Sequence, residues 1–252
     1  PQSRKLQLPS PGRKAVMKIV LFTLTGDLAL WRNVYDSMGS YSCLGPAPSA
    51  LAGLCGAALG FAAPRSFGVK TEEKKIPKGK KTAGPIWPVS PELLQWLVDK
   101  EVTFACRWTG SYPKRITWNV NGLKEIGKTE NLRMQQQVIQ SPCYEVAVQL
   151  VESAAQELAE ALKRPAFRLF LGCSQCPAIV QHVRLTDSLP DSSDWAFHHE
   201  ENVPGETVPF SRLSLSGQES GNRVVIEGYW VYPIPGLPGI RLDNPFVKGH
   251  VE

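Results

Sequence analysis

Arg32, Tyr35, Tyr41 and Ser49 fall in one short stretch of the sequence; Lys114, Arg115 and Trp118 fall in a second, and Arg133, Gln135 and Gln136 in a third. These residue types share one chemistry. A guanidinium clamps a phosphate through two parallel bonds, and lysine meets it as a point charge. Aromatic rings offer faces for stacking, and glutamine amides make directional hydrogen bonds. Ser49 follows Pro48, a helix-start signal. A hydroxyl beside the first free N–H groups of a helix is an anion site, although simple capping is its commoner role. Lys114 and Arg115 can equally be a solvated turn, and Trp31 reads as core.

These residues need elements to carry them. Met17 opens an apolar run and reads as a natural start, with an arm upstream of it; Ile19 to Leu24 is a buried strand. Residues 31–48 form a long loop. Leu51, Leu54, Cys55, Ala58 and Leu59 then share a helical face, and Gly53, Gly56 and Gly60 imply close approach by a sheet or a ligand. Ser90 and Pro91 open a short helix to Val98. Strands are expected at 102–108, 116–120, 132–140 and 144–150, with Asn121-Gly122 as a hairpin turn and 121–131 as an exposed connection. Ser153 and Gln156 form a capping box for a helix to Lys163. Further strands are expected at 167–171, 178–184 and 223–231. The order strand, helix, strands, helix, strands predicts an α+β fold: a ferredoxin-like, RNA-recognition-motif-like sheet with long insertions.

The 252 residues suit one elaborated domain, residues 17–252, behind a basic arm at 1–16. With 42% hydrophobic and 20% charged residues, wholesale disorder and collagen are excluded. No apolar run reaches the ~20 residues of a membrane helix, so no membrane partner and a cytoplasmic location are expected. Six irregularly spaced cysteines make no disulfide framework. Cys173 and Cys176 form one CxxC without a second pair to complete a zinc site, so no metal or cofactor is expected. The net charge of +5 is unevenly spread. Residues 1–18 carry five bases and no acid, and the lysine-rich loop at 63–90 carries seven bases between positions 63 and 82. The acidic loop at 185–207 carries six acids and neither Lys nor Arg. Such asymmetry suits a polyanion partner.

Three ordered stretches carry a family resemblance. The first runs from residues 24–32 (LTGDLALWR), with Gly-x-x-Ala-x-Phe/Trp-Arg, through a loop to residues 41–60, with Pro-x-Pro-Ser/Thr-Ala-Leu-x-Gly-Leu-x-Gly-Ala-x-Leu-Gly. Residues 132–144 (LRMQQQVIQSPCY) carry Arg-x-Gln and then Pro-x-Tyr, and residues 170–178 (FLGCSQCPA) carry Leu-Gly-x-Ser-x-Cys-Pro. Together they resemble CRISPR-associated protein family five.

That resemblance implies a ferredoxin-like core with a projecting β-hairpin or thumb. It also implies a non-catalytic subunit of a type I CRISPR surveillance (Cascade) complex. Such a subunit binds the five-prime handle of the guide RNA, caps the backbone filament, contacts the backbone and large subunits, and reaches target DNA only indirectly. On that reading Arg32 and Ser49 hold phosphates, and Tyr35 and Tyr41 stack bases. Lys114, Arg115, Trp118, Arg133, Gln135 and Gln136 form an RNA-binding hairpin. One branch of the family cleaves the repeat RNA without metal, using Tyr, Lys and His. Tyr41 and Lys114-Arg115 are present here, but the first histidine is His182, which favours binding over a metal-independent endoribonuclease. A free-standing RNA-recognition module would carry the family's aromatic signature, which this sequence lacks.

Overall fold

The run Met17–Thr25 is apolar at consecutive positions because both of its faces are covered. Val20, Phe22 and Leu24 join the main core, while Ile19 and Leu21 pack with Ala105, Ala147 and Trp195 on the other side. In the computed structural model, residues 16–32, 41–61, 90–123, 131–190, 195–199, 206–210, 228–233 and 245–248 are described. The arm at 1–15, Tyr35 and residues 62–89 of the lysine-rich region lie outside them.

In chain order the elements are β1 (Met17–Thr25), β2 (Leu28–Ala29), β3 (Trp31–Arg32), β4 (Ser42–Cys43), α1 (Pro48–Leu59), α2 (Pro91–Asp99), β5 (Thr103–Trp108), β6 (Lys114–Leu123), β7 (Asn131–Gln140), β8 (Cys143–Val151), α3 (Glu152–Lys163), β9 (Ile179–Thr186), β10 (Phe197–His199), β11 (Glu206–Phe210), β12 (Gly228–Tyr232) and β13 (Val247–Lys248). The fold is mixed α/β with mostly antiparallel sheets. The principal sheet has the order β13-β5-β8-β1-β9, every neighbouring pair antiparallel. β6 and β7 make a ten-residue hairpin, extended at its base by β2. β3 and β4 form a short ribbon, and β10-β12-β11 a third sheet. Among the described residues no helix is long and apolar enough to cross a membrane.

The helices follow their local chemistry in part. Ser90 caps α2, accepting the Leu93 N–H at 3.2 Å. α1 ends at Gly60, whose φ of +87° lets Phe61 N–H reach back to the Gly56 carbonyl at 2.9 Å. The expected close approach by a sheet or a ligand is corrected. At Gly56 a Cβ would lie 2.4 Å from a Leu93 methyl, so it is helix α2 that meets α1 there, and at Gly53 a Cβ would meet nothing within 4 Å.

Other expectations are corrected. The capping box does not form. Val151, the last residue of β8, is the N-cap of α3 and makes no side-chain cap bond; Ser153 lies inside the first turn. Likewise Ala47, not Ser49, caps α1, which starts at Pro48. Asn121-Gly122 is not the hairpin turn. Both residues stay in register, Asn121 opposite Arg133 and Gly122 opposite Leu132, because the ladder continues to Leu123 opposite Asn131. Residues 167–171 supply only a bridge, Phe170 to Pro177. The 31–48 segment is not all loop: it contains the paired strands β3 and β4, and Pro48 already belongs to α1. The acidic segment is not all loop. Leu185 and Thr186 complete β9, and β10 and β11 both pair with β12, a partner too distant for local composition to reveal. Of the strand expected at 223–231, Gly228 onward lies in β12, and 223–227 fall outside the described residues.

Candidate nucleic-acid interface

The hairpin has two faces because side chains alternate along a strand. Register puts Lys114, Ile116, Trp118, Gln136 and Val138 on one face, and Arg115, Thr117, Asn119, Gln135 and Gln137 on the other. The first face turns inward. Val138 and Gln136 are buried, and half-buried Ile116 and Trp118 pack on the main core. At its base Lys114 and the Gln140 paired opposite it are exposed. On the second face Thr117, Asn119, Gln135 and Gln137 are exposed. The residues expected to act together are therefore divided: Arg115 and Gln135 share the open face, while Trp118 and Gln136 support it from behind. Arg133 is placed by its pairing with Asn121 alone.

The open face ends at a corner assembled from distant segments. Tyr41 bridges to Gln137 of β7. Arg115 lies over the Tyr41 ring, its guanidinium carbon 4.7 Å from the centroid. Arg115 Nε donates to the Ser42 carbonyl at 3.3 Å, and Ser42 pairs with Arg32 across the ribbon. Tyr41 and Arg115 are thus brought together, with Tyr41 41% exposed. Among the described residues Arg32, also exposed, is tied to this corner only by its backbone pairing with Ser42 across the ribbon. Ser49 sits half-buried at the second position of α1, not at the hairpin.

Sequence reasoning missed the acid at this corner. Arg115 donates two bonds of 3.0 Å to the carboxylate of Glu206 on β11. Its guanidinium is already in the forked geometry that a phosphate would take, so any phosphate there competes with Glu206. Burial, reinforced by Glu206, raises the Tyr41 phenol above its ordinary pKa; Arg115 offsets part of this. No local signal marks Glu206, one of six acids in its segment. Tyr144 was also missed as a positioning residue, although it ends the Pro-x-Tyr motif. Its buried hydroxyl accepts from Trp31 Nε1 at 2.9 Å and donates to the Leu44 carbonyl at 2.6 Å, which ties β3 to the segment after β4. Trp31 is core, as its size suggests.

The principal sheet carries its own charges on the side of Trp195. Arg107 Nε donates to Glu145 at 2.7 Å and lies 4.9 Å from the Trp195 ring centroid, and Arg184 reaches the same carboxylate at 3.6 Å. Among the described residues no cluster of three or more His, Cys, Asp or Glu is arranged to hold a metal ion.

Fold and site thus define a mixed α/β protein with mostly antiparallel sheets, whose β6–β7 hairpin carries an arginine-tyrosine corner at its base. The sequence model of the family described as CRISPR-associated protein (Cas_Cas5) matches residues 19–224, and the chain belongs to that family. Among curated proteins none matches it. Similar solved structures include one titled "CRISPR RNA-guided surveillance complex", at 18% identity and TM-score 0.40, covering 62% of this chain. The chain spans 58% of that one's length. Another, "Crystal structure of Cas protein", is 16% identical with a TM-score of 0.42 and covers 88% of this chain and 98% of its own.

Proposed function

We propose that this chain is a non-catalytic subunit of a type I CRISPR surveillance complex that holds the five-prime handle of the guide RNA. The observation that carries this reading is the meeting of Tyr41 and Arg115, with Arg32 in the adjoining β3–β4 ribbon, beside the open, amide- and hydroxyl-bearing face of the β6–β7 hairpin. Phosphate contacts from arginine position such an RNA, and ring faces with amide edges receive splayed bases. Ser49 would add a phosphate contact at the start of α1.

The fold is read as a ferredoxin-like core, with β5-β8-β1-β9 as its sheet, α1 and α3 as its crossover helices, and β6–β7 as the projecting thumb. Ala196 N–H to the Cys106 carbonyl and the Arg115–Glu206 pair tie the later strands to it, supporting one domain from residue 17 onward. Its partners are the guide RNA, the backbone subunit whose filament it caps, and the large subunit, in the cytoplasm. Binding is favoured over ribonuclease chemistry because Tyr41 is harder to ionise than an ordinary phenol and Arg115 is engaged by Glu206.

Co-purification from the native operon, followed by sequencing of bound RNA, tests the reading. A chain that never co-elutes with backbone or large subunits, or carries no repeat-derived RNA, refutes it. Two substitutions test the corner. Arg32→Ala should weaken handle binding about tenfold and flatten its salt dependence by roughly one unit. Unchanged affinity would make Arg32 structural. Glu206→Gln should act oppositely. With the competing charge removed, Arg115 engages phosphate, and handle binding tightens with a steeper salt slope, by roughly one unit. Both are read from titrations of handle and scrambled RNA at several salt concentrations.

A further inference from the structure

Cys173 and Cys176 take no part in the proposed RNA site. They stand on a tight turn in which Cys176 N–H meets the Cys173 carbonyl at 3.0 Å and Leu171 N–H meets the Cys176 carbonyl at 2.7 Å. Their sulfurs are 3.4 Å apart, in hydrogen-bond contact. Access to the two differs. Cys176 is fully buried, whereas Cys173 is half-buried and lines an open cleft of about 280 Å³ with Trp31, Gly53, Arg168 and Ser174. The contact with Cys176 holds the Cys173 thiol down at about 6; burial opposes this, and the charge of Arg32 adds a smaller favourable effect. Burial pushes Cys43 up to about 11 and Cys55 and Cys106 up to about 12, and among the described residues these three have no neighbouring sulfur to attack. The Cys173 contact and burial also push Cys176 well up. Cys173 is therefore the first nucleophile, and Cys176 acts only once Cys173 is in a mixed disulfide and that contact is gone.

We propose that Cys173 and Cys176 are a reversible thiol–disulfide pair, with Cys173 attacking from the cleft and Cys176 resolving. The co-reactant is a low-molecular-weight disulfide. The Cys173 thiolate attacks one of its sulfurs; that S–S bond breaks and one half leaves as a thiolate. Cys176 then attacks Cys173 Sγ, closing the S–S bond within the turn and releasing the second half. The two cysteines are oxidised, the small disulfide is reduced to two thiols, and the two cysteine protons end on those thiols. Arg168, exposed on the cleft wall, suits an anionic disulfide. The bond would stiffen the turn that supports β3, where Leu30 N–H donates to the Leu171 carbonyl at 3.0 Å.

The test treats the full chain with oxidised glutathione, alkylates the remaining thiols without unfolding, and maps the peptides by mass. The expected product is a 173–176 disulfide, two hydrogens lighter than the reduced peptide and restored by dithiothreitol, with Cys43, Cys55 and Cys106 still thiols. Cys176→Ser should stop at a stable glutathione adduct on Cys173, and Cys173→Ser should leave Cys176 unmodified. A wild-type map with Cys173 untouched, bearing only an adduct, or joined to Cys143 overturns the proposal. The wild-type map and its reversal decide the question even where a variant fails to fold.

Discussion

Gly172→Ala is expected to lower the melting temperature by about 6–24 °C. Gly172 has a φ of +90°, and a Cβ there would lie 2.0 Å from the Leu30 carbonyl oxygen and 2.7 Å from its carbon. Backbone strain at such a position costs about 1–3 kcal/mol for a residue with a side chain. The clash is with main chain, so it is relieved only by moving Leu30 and Trp31 off the turn. That breaks the Leu30–Leu171 hydrogen bond and loosens a buried indole. A total of about 3–6 kcal/mol follows, and in a chain of this size each kcal/mol is worth roughly 2–4 °C. Gly53→Ala is the matched control. A Cβ at Gly53 meets nothing within 4 Å, on the exposed side of α1. Replacing a helical glycine there should stabilise by about 0.5–1 kcal/mol. Thermal unfolding by circular dichroism reads both. A Gly172→Ala melt within a degree or two of wild type would show that β3 does not rest on this turn.

Tyr144→Phe should cost about 2–5 kcal/mol although it removes a single oxygen. The ring contacts survive, edge-on to Trp31 at 6.1 Å and to Trp108 at 5.2 Å between centroids. What disappears is the partner of two buried groups, the Trp31 indole N–H and the Leu44 carbonyl. Each loses about 1–3 kcal/mol when left unsatisfied away from water. Burial pushes the Tyr144 phenol well above its ordinary pKa, so it stays protonated and keeps donating to Leu44. Denaturant unfolding measures the loss. A cycle with Trp31→Phe should return a coupling of roughly 1 kcal/mol or more. Additive single losses would mean that the indole finds another acceptor.

The two substitutions act on elements that were unequally legible. The run at Met17–Thr25, the Ser90 cap and the apolar face of residues 154–162 are visible in the sequence because periodicity and capping are local. The same holds for the hairpin strands, and for the family, whose three motifs lie within the matched 19–224 span. Local chemistry misleads where a longer ladder or an adjoining strand overrides it. Asn121-Gly122 is drawn into the β6–β7 pairing, and α3 starts straight from β8 before Ser153 can cap it.

The candidate residues were legible as types but not as a group. The alternation of β6 and β7 implies two faces, yet which of them closes on the core is set by how the hairpin is laid on the rest of the fold through β2 and β4. That choice turns Trp118 and Gln136 inward and leaves Gln135 open. Arg115 shows the limit most clearly. Its charge and fork geometry belong to the residue, but Glu206 stands 91 positions away and reaches it only because β11 is carried to β4 and β6 by the third sheet. By itself the sequence determined the strands of the principal sheet and hairpin, the three helices, the uneven charge and the family, since each is written in neighbouring residues. Tertiary structure alone decided which arginine is paired, which ring is covered and which glycine has no room for a methyl, because Coulomb attraction and steric exclusion act over a few ångströms of space whatever the separation along the chain.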